Sequence, residues 1–209
     1  MIKNYIFDFG NVLVRFDPDE LTAVCVPDPE TRKIVRDVLF DRLYWDRLDA
    51  GTITDEELKR LACQRLPEHL HECACQAFDQ WTQLHTPIDG MPELVEELKA
   101  RGGKLYLLSN ISIGFANNYH RNPWASKLFS LFDGLVFSGP LGMTKPNREI
   151  FEHLLNRYQL APSECIFIDD SPKNIIGCEN VGIKGYLFDG NAEKLRKALG
   201  LNNDRYGCE

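Results

Sequence analysis

Residues 5–18 read YIFDFGNVLVRFDP, and the first four of them decide how the rest of the chain is parsed. An apolar run carries Asp8 to the mouth of a glycine turn, the way a buried strand delivers a polar residue to its carboxyl edge. Four later runs have the same form: KLYLLSN (104–110), GLVFS (134–138), CIFID (165–169) and GYLFD (185–189). None alternates strictly between apolar and polar, which is the pattern of strands covered on both faces. Helical stretches separate them. MPELVEELKARGG (91–103) opens with Pro92, places Leu94, Val95 and Leu98 on one face and stops at a glycine pair. KPNREIFEHLLNRYQL (145–160) begins at a proline and gathers Ile150, Phe151, Leu154, Leu155 and Tyr158. SPKNIIGCENVGI and NAEKLRKALG complete the alternation, which predicts an α/β fold with a Rossmann-like parallel sheet flanked by helices.

The rhythm breaks between residues 17 and 86. This stretch is helix-like throughout, with Thr54 as an N-cap and Glu57 three residues on. LHTPIDGMP (84–92), with two prolines and a glycine, reads as a return hinge. The expectation is a core of 1–16 plus 87–209 interrupted by an all-helical insert over 17–86.

The 209 residues suit one domain with such an insert. A net charge of -7 disfavours nucleic acid and anionic membranes as partners, since both reward a basic face. The start, MIKNYIFDFG, has no small-residue cleavage site and is not expected to be a signal peptide; no apolar run approaches the roughly 20 residues of a membrane span. The seven cysteines include no CxxC pair, so neither a zinc ribbon nor a disulfide framework is expected, and the chain reads as cytoplasmic. Cys73 and Cys75 read as small apolar helix residues rather than metal ligands. Nothing marks a coiled coil, and the chain is expected to be a monomer or homodimer.

The chemistry collects at the strand ends. The first run ends in Asp8, the second in Ser109 and Asn110, the fourth in Asp169 and Asp170, and Lys145 stands before a helix after the third. Each alone has an ordinary role as turn former, helix cap or solvated charge. Together, at successive strand ends of one sheet, they form a site. Carboxylates so close repel unless a cation joins them, and hard oxygen ligands suit Mg²⁺. Asp8 is placed to attack phosphorus as a covalent nucleophile, with Lys145, Ser109 and Asn110 holding the phosphoryl oxygens.

With those residues assembled, the sequence resembles the haloacid dehalogenase-like hydrolase superfamily over essentially its whole length. IFDFGNVLV resembles the first motif, YLLSN the second, Lys145 in MTKPNREIF the third and FIDDSPKN the acidic fourth. The insert resembles the type-1 helical cap. The resemblance implies a Mg²⁺-dependent phosphatase that works through an aspartyl-phosphate intermediate on a small phosphorylated metabolite, sugar phosphates favoured. Carried over by position, Asp8, the backbone carbonyl of Gly10 and Asp170 resemble the metal ligands, with Asp169 as helper. Asp8 resembles the nucleophile, and Ser109, Asn110 and Lys145 the phosphate binders. Asn174 falls where an acidic residue supporting the site often sits.

One position departs from the pattern. Gly10 stands where most family phosphatases have an aspartate that protonates the leaving group and then activates water, help typically worth about 10² to 10⁴ in rate. The DFGNVL form is similar to a branch that includes α-glucose-1-phosphate phosphatases, which keep activity with this glycine. Either Asp17 swings in from the insert, or the substrate carries a leaving group that needs little acid. A phosphomutase or phosphotransferase of the same fold relies on the missing carboxylate, and a catalytically weak phosphometabolite-binding protein is the other alternative. A metal-free haloacid dehalogenase has no use for paired Asp169 and Asp170. The DFG at residues 8–10 is no protein-kinase signature, because nothing upstream could hold ATP. Specificity is expected from Arg15, Trp45 with Tyr44, Asp49 and the stretch NNYHRNPW (117–124).

Overall fold

The computed structural model describes residues 2–83 and 86–201. Five parallel strands form one sheet in the order β3-β2-β1-β4-β5: β1 (Asn4–Phe7), β2 (Lys104–Ser109), β3 (Gly134–Phe137), β4 (Cys165–Asp169) and β5 (Lys184–Leu187). All five runs singled out in the sequence are strands, and β4 is buried at every position. The α/β expectation holds. Because β1 lies between β2 and β4, the ends carrying Asp8, Ser109 and Asp169 are neighbours, with register fixed by pairs such as Phe7 with Leu107 and Ile168. Strand order reverses here, and at such a point the crevice beyond the strand ends is open to a ligand.

Five α-helices occupy the stretch between β1 and residue 83: α1 (Pro18–Ala23), α2 (Pro29–Leu39), α3 (Arg42–Asp49), α4 (Asp55–Arg65) and α5 (His71–Gln83). Thr54 caps α4 by accepting from the Glu57 amide at 3.1 Å. The chain leaves and returns along two hydrogen-bonded crossings, Arg15 N to Thr86 O at 2.8 Å and Ile88 N to Leu13 O at 3.1 Å. Residues 84 and 85 of the expected hinge lie outside the described residues. The structure pairs Cys25, just past α1, with Cys73 of α5 at a Cα separation of 5.5 Å. That corrects the expectation of no disulfide: the two are 48 residues apart, and only the packing of α1 on α5 brings them together.

The remaining helices are α6 (Met91–Ala100), α7 (Ile113–Asn118), α8 (Pro123–Phe129), α9 (Ser138–Leu141), α10 (Arg148–Tyr158), α11 (Pro172–Glu179) and α12 (Ala192–Ala198). They cover both faces of the sheet. One face packs Leu94, Val95 and Leu98 of α6 against Leu105 and Leu107, the other packs Ile150, Phe151 and Leu154 of α10 against Ile6 and Phe167. Each such side chain is essentially water-free, a burial worth about 1.5–3 kcal/mol.

Helix α10 starts at Arg148, not at the proline after Lys145. The Asn110 side chain holds the residue before that proline. Its Oδ1 accepts from Lys145 N at 2.8 Å and its Nδ2 donates to Lys145 O at 2.9 Å, so both backbone groups of Lys145 are taken up outside any helix. No helix among the described residues is long and apolar enough to cross a membrane.

Candidate active site

Asp8 continues β1 by one residue. Its amide donates to Ile168 O at 3.0 Å, and its own Oδ1 accepts from the next amide, Phe9 N, at 2.7 Å. The turn beyond is tight: the amides of Leu13 and Val14 both donate to Phe9 O, and Asn11 takes a left-handed backbone (φ 56°) that asparagine tolerates better than most residues. Gly10 and Asn11 thereby face the same cavity as Asp8.

Asp8, Asp169 and Asp170 place carboxylate oxygens within 4.8 Å of one another. They are not equivalent. Asp169 is fully buried and already well supplied with donors: Lys145 Nζ at 2.8 Å, Ser171 N at 2.8 Å and Asn174 Nδ2 at 3.0 and 3.1 Å. Asp170 is exposed, and Asp8 keeps one carboxylate edge toward the cavity. The all-oxygen cluster of Asp8, Asp169 and Asp170 fits a hard cation such as Mg²⁺, and Gly10 lines the same cavity.

Lys145 completes the centre. Its side chain is 1% exposed, and Nζ lies 2.8 Å from Asp8 Oδ1 and 2.8 Å from Asp169 Oδ2. Burial works against the ammonium charge, yet the two carboxylates outweigh it and hold the Lys145 pKa above its ordinary value. Burial likewise pushes the Asp8 carboxyl upward, with Lys145 pulling it back and Asp169 adding to the rise. Asp170 is raised by burial and by Asp169, and a hydrogen bond from Asn11 offsets part of it. Three carboxyls against one lysine leave a local excess of negative charge, which a divalent cation would neutralise.

The cavity in front of Asp8 holds about 370 Å³. Core residues Ser109, Asn110, Ser112 and Asp170 line one side, and Arg42, Trp45, Leu48 and Asp49 of α3 line the other, with Phe16 and Trp81. Trp45 and Trp81 each pack against Phe16, at ring-centroid distances of 5.5 and 4.6 Å.

Among the residues expected to set specificity, Trp45 and Asp49 reach this cavity. Others do not. Arg15 and Asp17 border a different cleft, and Asp17 is an exposed N-cap of α1 that accepts from Asp19 N and Glu20 N. Asn118, Tyr119, Arg121 and Asn122 line a third hollow with Asp55 and Lys59. Asn110 acts on the site through Lys145, whose main chain takes up both ends of its amide. Sequence reasoning passed over Arg42, Lys173 and Trp81. Lys173 sits inside the quoted FIDDSPKN motif; Arg42 and Trp81 carry no local signal and reach the cavity only through the packing of α3 and α5.

Comparison with known proteins identifies the family. Residues 2–182 match the family model described as haloacid dehalogenase-like hydrolase. The chain is 30% identical to the sesquiterpene phosphatase AstK of Aspergillus oryzae, covering 95% of this chain and 97% of that protein. It is 32% identical to a D-ribitol-5-phosphate phosphatase of Bacteroides thetaiotaomicron, covering 92% and 95%. Its fold resembles that of a haloacid dehalogenase family enzyme of Bacteroides thetaiotaomicron solved in complex with magnesium and inorganic phosphate, with a TM-score of 0.67, 22% identity and coverage of 91% and 96%. The chain belongs to the haloacid dehalogenase-like hydrolase family.

Proposed function

We propose that this member of the family is a Mg²⁺-dependent phosphatase that removes phosphate from a small phosphorylated metabolite through an aspartyl-phosphate on Asp8. The observation that carries the reading is the placement of Asp8: one residue past the end of a central strand, ion-paired to a buried lysine, beside two further aspartates and facing a cavity. Relatives that match over nearly their full length and are phosphatases support the reaction class.

In the first step a carboxylate oxygen of Asp8 bonds to phosphorus and the bond from phosphorus to the leaving oxygen breaks. Lys145 and Ser109 offset the charge on the phosphoryl oxygens, and Asn110 fixes Lys145 for that purpose. Asp8, the Gly10 carbonyl and Asp170 would hold Mg²⁺, which when bound offsets phosphoryl charge as well. In the second step water attacks phosphorus and Asp8 is regenerated. Residues 17–86 serve as a cap that closes the cavity over the core of 1–16 and 87–209.

The wall of Trp45, Trp81 and Phe16 offers a sugar phosphate a ring to stack on, with Arg42 and Asp49 as hydrogen-bonding partners. The same wall, with Leu48 and Ile111, suits an apolar alcohol, and the relative named a sesquiterpene phosphatase favours that second reading. The test is phosphate release from a panel of sugar, nucleotide, acyl and prenyl phosphates, with Mg²⁺ and with EDTA, beside Asp8→Asn. Release that needs the metal and disappears in Asp8→Asn supports the proposal. Release that survives EDTA, or survives Asp8→Asn, overturns it.

A further inference from the structure

We propose that Asp49, reaching in from helix α3, is the acid and base that Gly10 cannot be: its carboxyl protonates the leaving oxygen and its carboxylate then deprotonates the attacking water. The inference rests on the phosphatase reading of the same cavity.

Asp49 is the last residue of α3 and is only 9% exposed, yet no hydrogen bond or ion pair reaches its carboxylate among the described residues. Its carboxylate oxygens are not among the buried atoms sealed off without a partner; they open to the cavity and are free to meet a ligand there. It lines the cavity of Asp8, and also an adjoining cleft with Asn110, Thr144 and Lys145. The position is held rather than incidental. Ser138 Oγ donates to the Asp49 carbonyl at 2.6 Å and accepts from Ile111 N at 2.8 Å, so one buried hydroxyl ties the end of α3 to the loop following Ser109 and Asn110.

The next turn is fitted as closely. Gly51 has φ +67°, and a Cβ there would stand 2.1 Å from the Gly139 carbonyl oxygen. The backbone of 49–51 is thus set against the core while the Asp49 side chain faces the site.

The electrostatic surroundings suit a proton carrier. Burial pushes the Asp49 carboxyl up to about 7, with Asp46 adding to the rise and Arg42, Lys145 and Lys173 opposing it. Those are the charged groups facing it, from its own helix, from the loop before α10 and from α11. An acid near neutrality can be protonated for the first step and ionised for the second. Asp17, by contrast, is exposed, spends its carboxylate on capping α1 and does not line this cavity.

Electrons and protons balance in both steps. As Asp8 bonds to phosphorus, the leaving oxygen keeps the electron pair of its broken bond and takes the Asp49 proton. As water bonds to phosphorus, its proton returns to Asp49 and the electron pair of the acyl-phosphate bond returns to Asp8.

The test compares wild type and Asp49→Asn on para-nitrophenyl phosphate with Mg²⁺ by rapid quench. Nitrophenolate leaves with little need of an acid, so the first turnover survives the substitution. Hydrolysis of the phosphoenzyme needs the base. Asp49→Asn is expected to show a burst of about one nitrophenol per site, an acid-trapped phosphoenzyme, and a steady-state rate about 10² to 10⁴ lower. An unchanged steady-state rate overturns the proposal, and so does a first turnover that falls as far as the steady state. A wild type that releases nothing from any monoester brings down the phosphatase reading itself, a result distinct from an active wild type indifferent to position 49.

Discussion

The ammonium of Lys145 stands 2.8 Å from Oδ1 of Asp8, and this contact organises the whole site. Both side chains are buried, so neither charge would be tolerable alone. The lysine reaches Asp8 because Asn110 grips its main chain from the neighbouring strand end, and Asp169 grips its ammonium from the other side. Replacing Lys145 with Met is expected to lower kcat by about 10²- to 10³-fold, the usual cost of losing one charge-stabilising donor. Steady-state kinetics beside circular dichroism would separate that loss from unfolding.

Magnesium binding has a readout that needs no substrate. Folding brings carboxylate oxygens of Asp8 and of Asp169 and Asp170, which are far from it in the chain, within 4.8 Å of one another, so a cation at the cluster stabilises the folded state alone. At a hundredfold excess over its dissociation constant the ion adds about 2.7 kcal/mol of stability. Thermal unfolding is expected to shift upward and saturate with added Mg²⁺ in wild type, and not in Asp170→Asn.

Asn174 is a positioning residue for the same cluster. Its Nδ2 donates to both oxygens of Asp169, at 3.0 and 3.1 Å. Without it, Asp169 keeps the Lys145 ammonium and the Ser171 amide but loses the donor that bridges its two oxygens. Asn174→Ala is expected to weaken Mg²⁺ binding by about 10- to 100-fold, read from the metal dependence of either turnover or melting.

The raised carboxyl of Asp49 makes stability pH-dependent in a definite direction. Its value of about 7 in the fold lies above the 3.8 of the free side chain, so the native state binds more protons than the unfolded one between those limits. Its contribution is therefore complete below about pH 3.8 and is lost as pH rises through about 7. Asn at this position carries no such dependence. The melting temperature of Asp49→Asn relative to wild type is expected to rise from pH 5 to pH 8; a flat difference would mean that Asp49 is ionised throughout.

The turn after α3 is a packing constraint that a methyl group exposes. Gly51→Ala would set a Cβ against the Gly139 carbonyl from a left-handed backbone, and is expected to destabilise by more than about 1 kcal/mol. Gly10→Ala is the control, since its Cβ would meet only Phe16 Cβ at an ordinary 3.7 Å. Denaturant midpoints of the two variants give the comparison.

The sequence alone determined the parts whose physics is local. Apolar runs such as CIFID and KLYLLSN leave no choice but strands buried on both faces, and their polar last residues mark one sheet edge for chemistry. Asp8, Ser109, Asp169 and Asp170 were legible for that reason, and Lys145 because it precedes a helix in the same set. Thr54 was legible too, since a cap depends on residues three apart.

The tertiary structure alone decided what depends on distant segments meeting. Nothing near Asn110 says that its amide will bracket the main chain of a residue 35 positions away. Nothing near Cys25 points to Cys73, and the sequence offered Asp49 as a specificity residue on the same footing as Arg15, of which only Asp49 reaches the cavity. Arg42, Trp45 and Trp81 enter the cavity because α3 and α5 pack over the strand ends, whereas Asp17 and Arg15, closer to Asp8 in sequence, are turned to other surfaces. Local spacing fixes which face of an element a residue occupies; only the docking of one element on another fixes what that face meets.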